Sequence, residues 1–365
     1  MPKPHGIAWL NYLPGYQGET WNPVIGCSWA SPGCDHCYAR ELHDMRHDAY
    51  TEGKRVPACY SAPFGTVRYL PERLAHPLPW RAPRMIFVNS MGDLFHPDVP
   101  TNVIEAVVGA MSLCGQHQFV ILTKRAEAMR RFFAERTLSE CQAQLPFESL
   151  DLDSRIRNVS AINGAGNNAW PLPNVWLCVT AENQEQWDAR VPLLVQTPAA
   201  RRLVSIEPML GPINLMNTGQ MCGNVLVRTD RYPNTLDWVI CGGESGSWHD
   251  IDIRPMHLHW ARSVRDQCNA AGVPFFFKQW GNYPQRDIDP TQQYPHLACI
   301  DDLGGAAAIS GKPGDWAKMS STDMYWHDVP EIPAGWTEHI YLKGEKNGGD
   351  FLDGAQWHQM PEVIR

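Results

Sequence analysis

The residues with the clearest chemical potential are three cysteines in the segment WNPVIGCSWASPGCDHCYARELHDM. Cys27, Cys34 and Cys37 have the spacing C-x6-C-x2-C, and the next cysteine, Cys59, lies in RVPACYSAPF without a second C-x2-C pair. Structural zinc sites take four ligands, so three clustered thiolates indicate a centre with an open coordination position. A [4Fe–4S] cluster held by three cysteines has such a position at its fourth iron.

Zinc is the main alternative, because His36 or His43 could complete a Cys3His structural site with the same three thiolates. Disulfide bonds are disfavoured. Eleven cysteines in 365 residues are far below the density of a small disulfide scaffold, and the start MPKPHGIAWLNY has no secretory apolar region. We therefore expect a protein of the reducing cytoplasm. The loop alone leaves iron–sulfur and zinc chemistry open.

Composition predicts a globular protein with 44% hydrophobic and 19% charged residues, and no apolar stretch is long enough to span a bilayer. We therefore expect no membrane role. The net charge of −8 and the pI of about 5.9 do not fit a protein that holds long nucleic acid unaided, although a local basic patch stays compatible with them.

The elements that must position the cysteines follow the pattern of repeated βα units. Short runs rich in Val, Ile and Phe alternate with longer segments of helical periodicity, which predicts a parallel sheet with six or seven βα units. The predicted strands are 20–25, 85–88, 119–122, 175–179, 202–204, 238–241 and 273–277. The predicted helices are 38–45, 101–113 with Thr101 as its cap, 126–136, 184–194 and 257–271.

Nearly every predicted strand ends in polar residues. Because the carboxyl ends of parallel barrel strands form one rim, we expect these side chains to converge with the cysteine loop on one site. Each residue also has a structural alternative: Asp93 could cap a helix, the glycines could make turns, and Lys124 or Lys278 could pair with Glu207 or Glu244. The candidate rim residues are Ser90, Gly92, Asp93, Lys124, Thr180, Glu182, Ser205, Glu207, Gly242, Gly243, Glu244 and Lys278.

Insertions divide the chain unevenly. Residues 145–173 and 213–235 have little periodicity and predict extended loops, and 283–333 is rich in Gly, Pro and Asp. We predict a barrel domain over residues 1–282, with the cluster loop at 27–37. An irregular excursion and C-terminal extension over 283–365 would pack on it.

Seven ordered motifs carry a family resemblance. They are TWNPVIGC, SPGCDHCYA, NSMGDLFHPDVP, LTKR, SIEPMLGPI, WVICGGESG and PFFFKQWG; the match covers roughly residues 18–281, with a weaker echo at FLDG and Trp357. In this order they resemble a family of phage-encoded three-cysteine-motif proteins, a divergent branch of the radical S-adenosylmethionine (SAM) superfamily. The resemblance implies an α/β fold with a partial (βα)6-type parallel barrel, loop insertions and a C-terminal extension.

The resemblance also implies a site. A [4Fe–4S] cluster would be bound by Cys27, Cys34 and Cys37, and its open iron would be chelated by SAM, whose reductive cleavage yields a 5′-deoxyadenosyl radical. The spacing departs from the usual C-x3-C-x2-C. His36 stands where an aromatic residue is common, and Tyr38 follows the last cysteine.

Roles follow by strand order. We expect Asp93, with Ser90 and Gly92, to meet the SAM ammonium. The expected catalytic residues are Glu207, Glu244 and Lys278, and the other expected cofactor contacts are Tyr38, Thr180, Glu182, Ser205, Gly242 and Gly243.

The expected substrate is a nucleotide or a base in phage nucleic acid, with a flavodoxin or ferredoxin as reductant and a protein partner encoded alongside. Two other classes stay open. One is a zinc-stabilised binding or scaffold protein, and the other is an iron–sulfur protein without radical chemistry.

Overall fold

The computed structural model describes residues 6–145, 169–216, 225–226, 235–246, 253–282, 294–300, 306–311, 340–342, 351–353 and 355–361. Its centre is a seven-stranded parallel half-barrel in which the strands are hydrogen-bonded in chain order. The strands are β1 (Gln17–Trp21), β2 (Arg84–Val88), β3 (Gln118–Thr123), β4 (Val175–Thr180), β5 (Arg201–Ile206), β6 (Trp238–Gly242) and β7 (Phe275–Gln279).

In the described part of the chain, helices follow β1, β2, β3, β4 and β6, in the manner of βα units. They are α1 (Tyr38–Thr51), α2 (Thr101–Ser112), α3 (Ala126–Glu135), α4 (Leu138–Ala143), α5 (Gln184–Gln196) and α6 (Leu258–Ala271). The mixed α/β fold and the parallel sheet confirm the coarse prediction from periodicity. Short antiparallel pairs lie outside the sheet, and they involve Val24–Ile25 with Arg68–Tyr69, Tyr294–Ile300 with Ala306–Gly311 and Ile340–Leu342, and Phe351–Leu352 with Ala355–Gln356.

Several predicted boundaries are wrong, and α1 runs to Thr51 where the prediction ended at residue 45. The first strand does not run over 20–25: β1 ends at Trp21, and Val24–Ile25 pairs elsewhere, because Pro23 has no N–H to continue the parallel ladder. The last strand begins at Phe275, two residues after the predicted start, since Pro274 precedes it. Thr101 is the first helical residue of α2 and not its cap, which is Pro100.

Strands β2 to β7 are buried on both faces, which explains their apolar sequences. The outer face packs against the helices through residues such as Ile86, Ile121 and Val107. The inner face forms a second core with the short 3-10 helix Ala8–Asn11, whose Trp9 meets Trp238 at 6.0 Å between ring centroids. This N-terminal segment therefore closes the amino end of the half-barrel with aromatic side chains.

The C-terminal tail covers the free edge of β7. Phe277 N–H donates to the Trp357 carbonyl at 2.7 Å, and Gln359 N–H donates to the Phe275 carbonyl at 3.1 Å. An unpaired strand edge is a site for unwanted association, so this pairing protects the sheet. Residues 357 and 359 of the C-terminal tail thus pack on the barrel, and the domain boundary at 282/283 stays a prediction. Most of the predicted insertions at 145–173, 213–235 and 283–333 lie outside the described residues.

Candidate cluster and ligand site at the carboxyl edge of the half-barrel

The cysteine loop begins against the loop that follows β2. Gly26 N–H donates to the Met91 carbonyl at 2.9 Å, and Cys27 N–H donates to the Phe64 carbonyl at 3.0 Å. Gly26 has a φ of +89°, and a Cβ there would lie 2.5 Å from the Thr66 carbonyl oxygen. Only glycine fits this conformation and contact. The backbone therefore fixes Cys27 beside the carboxyl end of β2.

The second half of the loop is held by an acid at the end of β4. Ser31 donates its hydroxyl proton to Glu182 Oε1 at 2.6 Å, and a Cβ on Gly33 would lie 2.5 Å from the same oxygen. Ser31 is 1% exposed and Glu182 is fully buried. The 3-10 turn Pro32–Cys34 thus packs directly on the Glu182 carboxylate.

Arg254, in the segment before α6, binds the same turn. Its Nη2 donates to the Pro32 carbonyl at 2.8 Å, and its Nη1 lies 3.1 Å from Asp35 Oδ2. Arg254 also forms an ion pair with Glu244, which follows β6 and is 3% exposed. The loop is therefore tied to the carboxyl ends of both β4 and β6.

The three cysteines in this loop are free thiols. Cys34 is buried, whereas Cys27 and Cys37 are half-buried and pack on a small apolar cluster that includes Ile25 and Met91. Burial, followed by the negative charge of Asp93, raises the pKa of Cys27 to about 11 against the lowering effect of the Arg125 cation. A metal centre that binds Cys27 must therefore displace its proton.

Within the described ranges, no group of three or more His, Cys, Asp and Glu side chains is close enough together to hold a single metal ion. His43, one candidate fourth zinc ligand, is 1% exposed and hydrogen-bonds the Ala62 carbonyl at 2.9 Å through Nε2. In a [4Fe–4S] cluster each thiolate binds a different iron atom. The three free thiols lie on one anchored loop, with Cys27 beside the Arg125 cation, and binding of such a cluster stays a prediction.

The acids at the strand ends are each paired with a cation. Asp93 Oδ2 lies 2.8 Å from Arg125 Nη1, and Glu207 Oε1 lies 2.5 Å from Lys278 Nζ. The alternative reading of Lys278 as the partner of Glu207 is therefore realised. These pairs place polar side chains from the carboxyl ends of β2, β3, β5 and β7 around one opening, the mouth of the half-barrel.

Glu182 has two cationic partners. Lys124 Nζ is 3.0 Å from Oε1, and Arg190 Nη1 is 3.0 Å from Oε2. Burial raises the pKa of Glu182, but the positive charges of Lys124 and Arg190 outweigh burial and hold this pKa below its ordinary value. Its oxygens are thus occupied by Ser31, Lys124 and Arg190. The expectation that Glu182 contacts a cofactor stays a prediction.

The inner face of the half-barrel has an apolar part, the floor, near the amino ends of the strands, and a polar part at the mouth. Side chains two residues apart share one face of a strand, so the inner-facing Trp176 and Cys178 of β4 are followed on the same face by Thr180. The same progression runs in β5 and leads from Leu203 to Ser205. Thr180 and Ser205 are register partners on neighbouring strands. The inner face changes from aromatic to polar towards the carboxyl edge.

Gly242 and Gly243 differ in their surroundings. A Cβ on Gly242 would meet the Glu207 carboxyl carbon at 3.3 Å, so this glycine lies beside the Glu207–Lys278 pair. A Cβ on Gly243 would lie 2.1 Å from the Trp280 carbonyl oxygen, so that glycine permits close packing of two backbone segments.

Tyr38 joins the last cysteine to the end of β2. It is the first residue of α1, and its hydroxyl donates to the Ser90 carbonyl at 2.7 Å while its ring remains 51% exposed. Burial of the hydroxyl, then the nearby Cys37 and Glu207, raises the pKa of Tyr38. An aromatic ring therefore lies at the mouth within electrostatic range of Glu207.

The predicted SAM contacts after β2 also hold the cysteine loop. Ser90 Oγ hydrogen-bonds Asn22 Oδ1 at 3.3 Å, and a Cβ on Gly92 would lie 2.9 Å from the Gly26 carbonyl oxygen. Asp93 accepts from Phe95 N–H at 2.9 Å within a turn, and the next helix, α2, has Pro100 as its cap, so the alternative that Asp93 caps a helix is wrong. Contact of these residues with SAM stays a prediction.

A comparison with protein families covers almost the whole chain. The model for a family described as "Protein of unknown function (DUF5131)" matches residues 14–361. The chain belongs to the DUF5131 family. Neither the curated proteins nor the solved structures contain a significant match to this DUF5131 chain. In the part of the chain that the structure describes, this DUF5131 member has no helix long and apolar enough to cross a membrane.

Sequence reasoning missed several residues of the site in this DUF5131 chain. Arg125, Arg190, Arg254 and Ser31 are not among the candidate residues that the sequence indicated. Arg125 directly follows Lys124 in LTKR, so its position at a strand end was a usable signal. Arg254 lies ten residues after Glu244 in a segment without periodicity, which offers no comparable signal.

Proposed function

We propose that this DUF5131 protein is a radical SAM enzyme. Cys27, Cys34 and Cys37 would hold a [4Fe–4S] cluster, and SAM would bind in the polar mouth beside it. The observation that carries the proposal is the placement of three free thiols on one loop that is anchored to the carboxyl edge of a parallel half-barrel.

When bound, such a cluster supplies one electron to SAM, which then divides into methionine and a 5′-deoxyadenosyl radical. A radical this reactive must be kept from water. The aromatic floor of the half-barrel, with Trp9, Trp176 and Trp238 each at most 5% exposed, supports that role because it closes the amino end of the site.

The mouth supplies groups for binding and proton transfer. Thr180 and Ser205 offer hydroxyls on the inner face, and Tyr38 offers an exposed ring beside Cys37. Lys278 Nζ donates a hydrogen bond to Glu207 Oε1 at 2.5 Å, and the two side chains are 22% and 19% exposed. A ligand can therefore reach this pair. In the proposal, Glu207 and Lys278 orient the substrate and move a proton when it reacts.

Glu244 has a different position from these two residues. Its carboxylate is 3% exposed and is engaged by the Arg254 backbone N–H at 2.8 Å and by the Arg254 guanidinium. Catalysis by Glu244 stays a prediction; the contacts support a role in holding the loop.

The proposed substrate is a nucleotide or a base in nucleic acid. A planar base suits the exposed Tyr38 ring, which offers a stacking surface at the mouth. The net charge of −8 favours a small substrate or one presented by a protein partner over unaided binding of a long polyanion. A flavodoxin or ferredoxin would supply the electron, and the cytoplasm would be the site of action.

The test begins with anaerobic purification and reconstitution with iron and sulfide. We expect about four iron atoms per chain in the wild type and in Cys59→Ser, and loss of iron in Cys34→Ala. Cys59 is a suitable control because it is half-buried near the loop but outside the C-x6-C-x2-C spacing. One zinc per chain without iron would contradict the proposal and would favour a zinc-stabilised binding protein.

Radical chemistry needs a second measurement. The reconstituted protein, reduced with dithionite and given SAM, is expected to release 5′-deoxyadenosine, and SAM is expected to change the electron paramagnetic resonance (EPR) spectrum of the cluster. Iron loading without either result would identify an iron–sulfur protein that does no radical chemistry.

A further inference from the structure

Arg125 reaches from the end of β3 to the first cysteine. Its Nη1 donates to Cys27 Sγ at 3.6 Å, and its Nη2 donates to the Ser28 carbonyl at 3.2 Å and to Ser28 Oγ at 3.1 Å. The side chain is 15% exposed. A guanidinium is always charged in a protein, so a fixed positive charge lies against one of the three loop sulfurs.

Asp93 holds this guanidinium in place. Its Oδ2 accepts from Arg125 Nη1 at 2.8 Å, and its two oxygens accept from Thr123 Oγ1 at 2.8 and 2.9 Å. Thr123 Oγ1 also accepts from the Arg125 backbone N–H at 2.9 Å. Asp93 is 5% exposed. The position of the Arg125 charge is therefore set by a buried network that does not depend on solvent.

A histidine supports the same corner. His96 Nδ1 accepts from the Asp98 backbone N–H at 3.1 Å, so in the neutral ring Nε2 carries the proton and donates to Ser28 Oγ at 2.7 Å. Burial, then the Arg125 cation, lowers the pKa of His96, which favours that neutral form. Ser28 Oγ is thus an acceptor from both His96 and Arg125, which fixes the residue after Cys27.

We propose that Arg125 is a positioning residue that raises the reduction potential of a cluster bound through Cys27. This inference rests on the proposed function, since it takes Cys27 as a cluster ligand. Reduction adds one negative charge to the cluster and its thiolates. A cation and a hydrogen bond at a ligand sulfur stabilise that added charge, and both raise the potential of iron–sulfur centres.

Asp93 acts in the opposite direction on the same sulfur. Its carboxylate accepts from the same Arg125 Nη1 that donates to Cys27 Sγ, and it adds a negative charge near Cys27. Loss of the Arg125 charge therefore leaves Asp93 uncompensated and disfavours reduction. Loss of the Asp93 charge leaves the Arg125 cation uncompensated and favours reduction. The two substitutions are expected to shift the potential with opposite signs.

The test is an EPR-monitored redox titration of reconstituted wild type, Arg125→Gln, Arg125→Lys and Asp93→Asn. At a fixed potential, we expect the ratio of reduced to oxidised cluster to be about tenfold lower in Arg125→Gln than in the wild type. This corresponds to a shift of the midpoint potential by about 59 mV to more negative values for a one-electron couple. Arg125→Lys keeps the charge and should shift less. Asp93→Asn should shift to more positive potential.

Arg130→Gln is the matched control, because Arg130 lies on the following helix and pairs only with the exposed Glu127 among the contacts the structure describes. Its midpoint should equal that of the wild type. Equal midpoints for wild type and Arg125→Gln at equal iron content would overturn the inference, as would loss of iron in both Arg125 variants with unchanged circular dichroism. Absence of iron from the wild type would instead overturn the proposed function itself.

Discussion

Ser31 and Glu182 are 151 positions apart in the chain, yet the Ser31 hydroxyl donates to Glu182 Oε1 at 2.6 Å. This bond joins the cysteine loop, which follows β1, to the end of β4 in the middle of the sheet. Both residues are at most 1% exposed, so the bond forms without competition from water. The shape of the loop around Cys34 thus depends on a residue from a distant strand.

Replacement of Glu182 should destabilise the protein strongly. Glu182→Gln leaves Lys124 and Arg190, whose side chains are 17% and 7% exposed, without their carboxylate. Removing one member of a buried ion pair costs about 3–5 kcal/mol. Urea denaturation should show a loss of this size in the free energy of unfolding. Glu127→Gln, which breaks an exposed pair, should change it by no more than about 0.5 kcal/mol. Equal losses in the two variants would contradict the prediction.

Gly33 should not tolerate a methyl group. In Gly33→Ala the new Cβ meets the fully buried Glu182 side chain at 2.5 Å, so either the loop or the carboxylate must move. Overpacking of this kind costs about 1–3 kcal/mol, which thermal or urea unfolding can measure. Gly65→Ala is the control, since nothing lies within 4 Å of its added Cβ. If Gly33→Ala were as stable as Gly65→Ala, the loop would be able to move away from Glu182 without loss of free energy of unfolding, and the prediction would be wrong.

Arg254 should control access to Cys34. In Arg254→Met the hydrogen bond to the Pro32 carbonyl and the ion pair with Asp35 are lost, and the turn that contains Cys34 is released. Cys34 is 8% exposed in the folded protein, so its alkylation by iodoacetamide should be faster in the variant, as peptide mass spectrometry would show. Arg262→Met, which breaks the ion pair between α6 and Asp353, should leave the rate unchanged. An unchanged rate in Arg254→Met would count against this role.

Stability should fall with acid because of His117. Burial is the main cause that lowers its pKa from 6.5 to about 4, and its Nδ1 accepts from Arg84 N–H at 3.2 Å. The unfolded chain binds a proton there first, so the contribution is complete above pH 6.5 and is lost as the pH falls towards 4. The loss is on the order of 3 kcal/mol.

Urea unfolding at a series of pH values would measure this loss. His117→Gln should flatten the profile between pH 6.5 and 4, while the part due to His96, whose pKa is lowered in the same direction, should remain. A wild-type profile that is already flat over this range would show that His117 does not titrate as the structure implies.

Much of the fold could be predicted because its signals are local. The run VWLCV is apolar on both faces, which is the pattern of a strand covered on both sides, and it lies within β4. The errors were also local. Pro23 ends the first parallel ladder earlier than the apolar run suggests, and Pro274 delays the last strand.

The candidate site was predictable in composition but not in its pairing. Polar residues after the strands had to share one edge, because the strands are parallel. That Glu207 would pair with Lys278, while Glu182 would take Lys124 and Arg190, depends on which strand ends are neighbours and on side-chain length. No spacing in the chain encodes those distances.

The sequence by itself determined the parallel sheet, the edge that carries the polar residues and the loop that carries Cys27, Cys34 and Cys37, because periodicity and spacing are properties of short segments. Only the tertiary structure decided that Arg125 meets Cys27 and that Glu182 and Arg254 hold the turn around Cys34. These contacts join residues far apart in the chain, and they form only when the half-barrel brings its strand ends together.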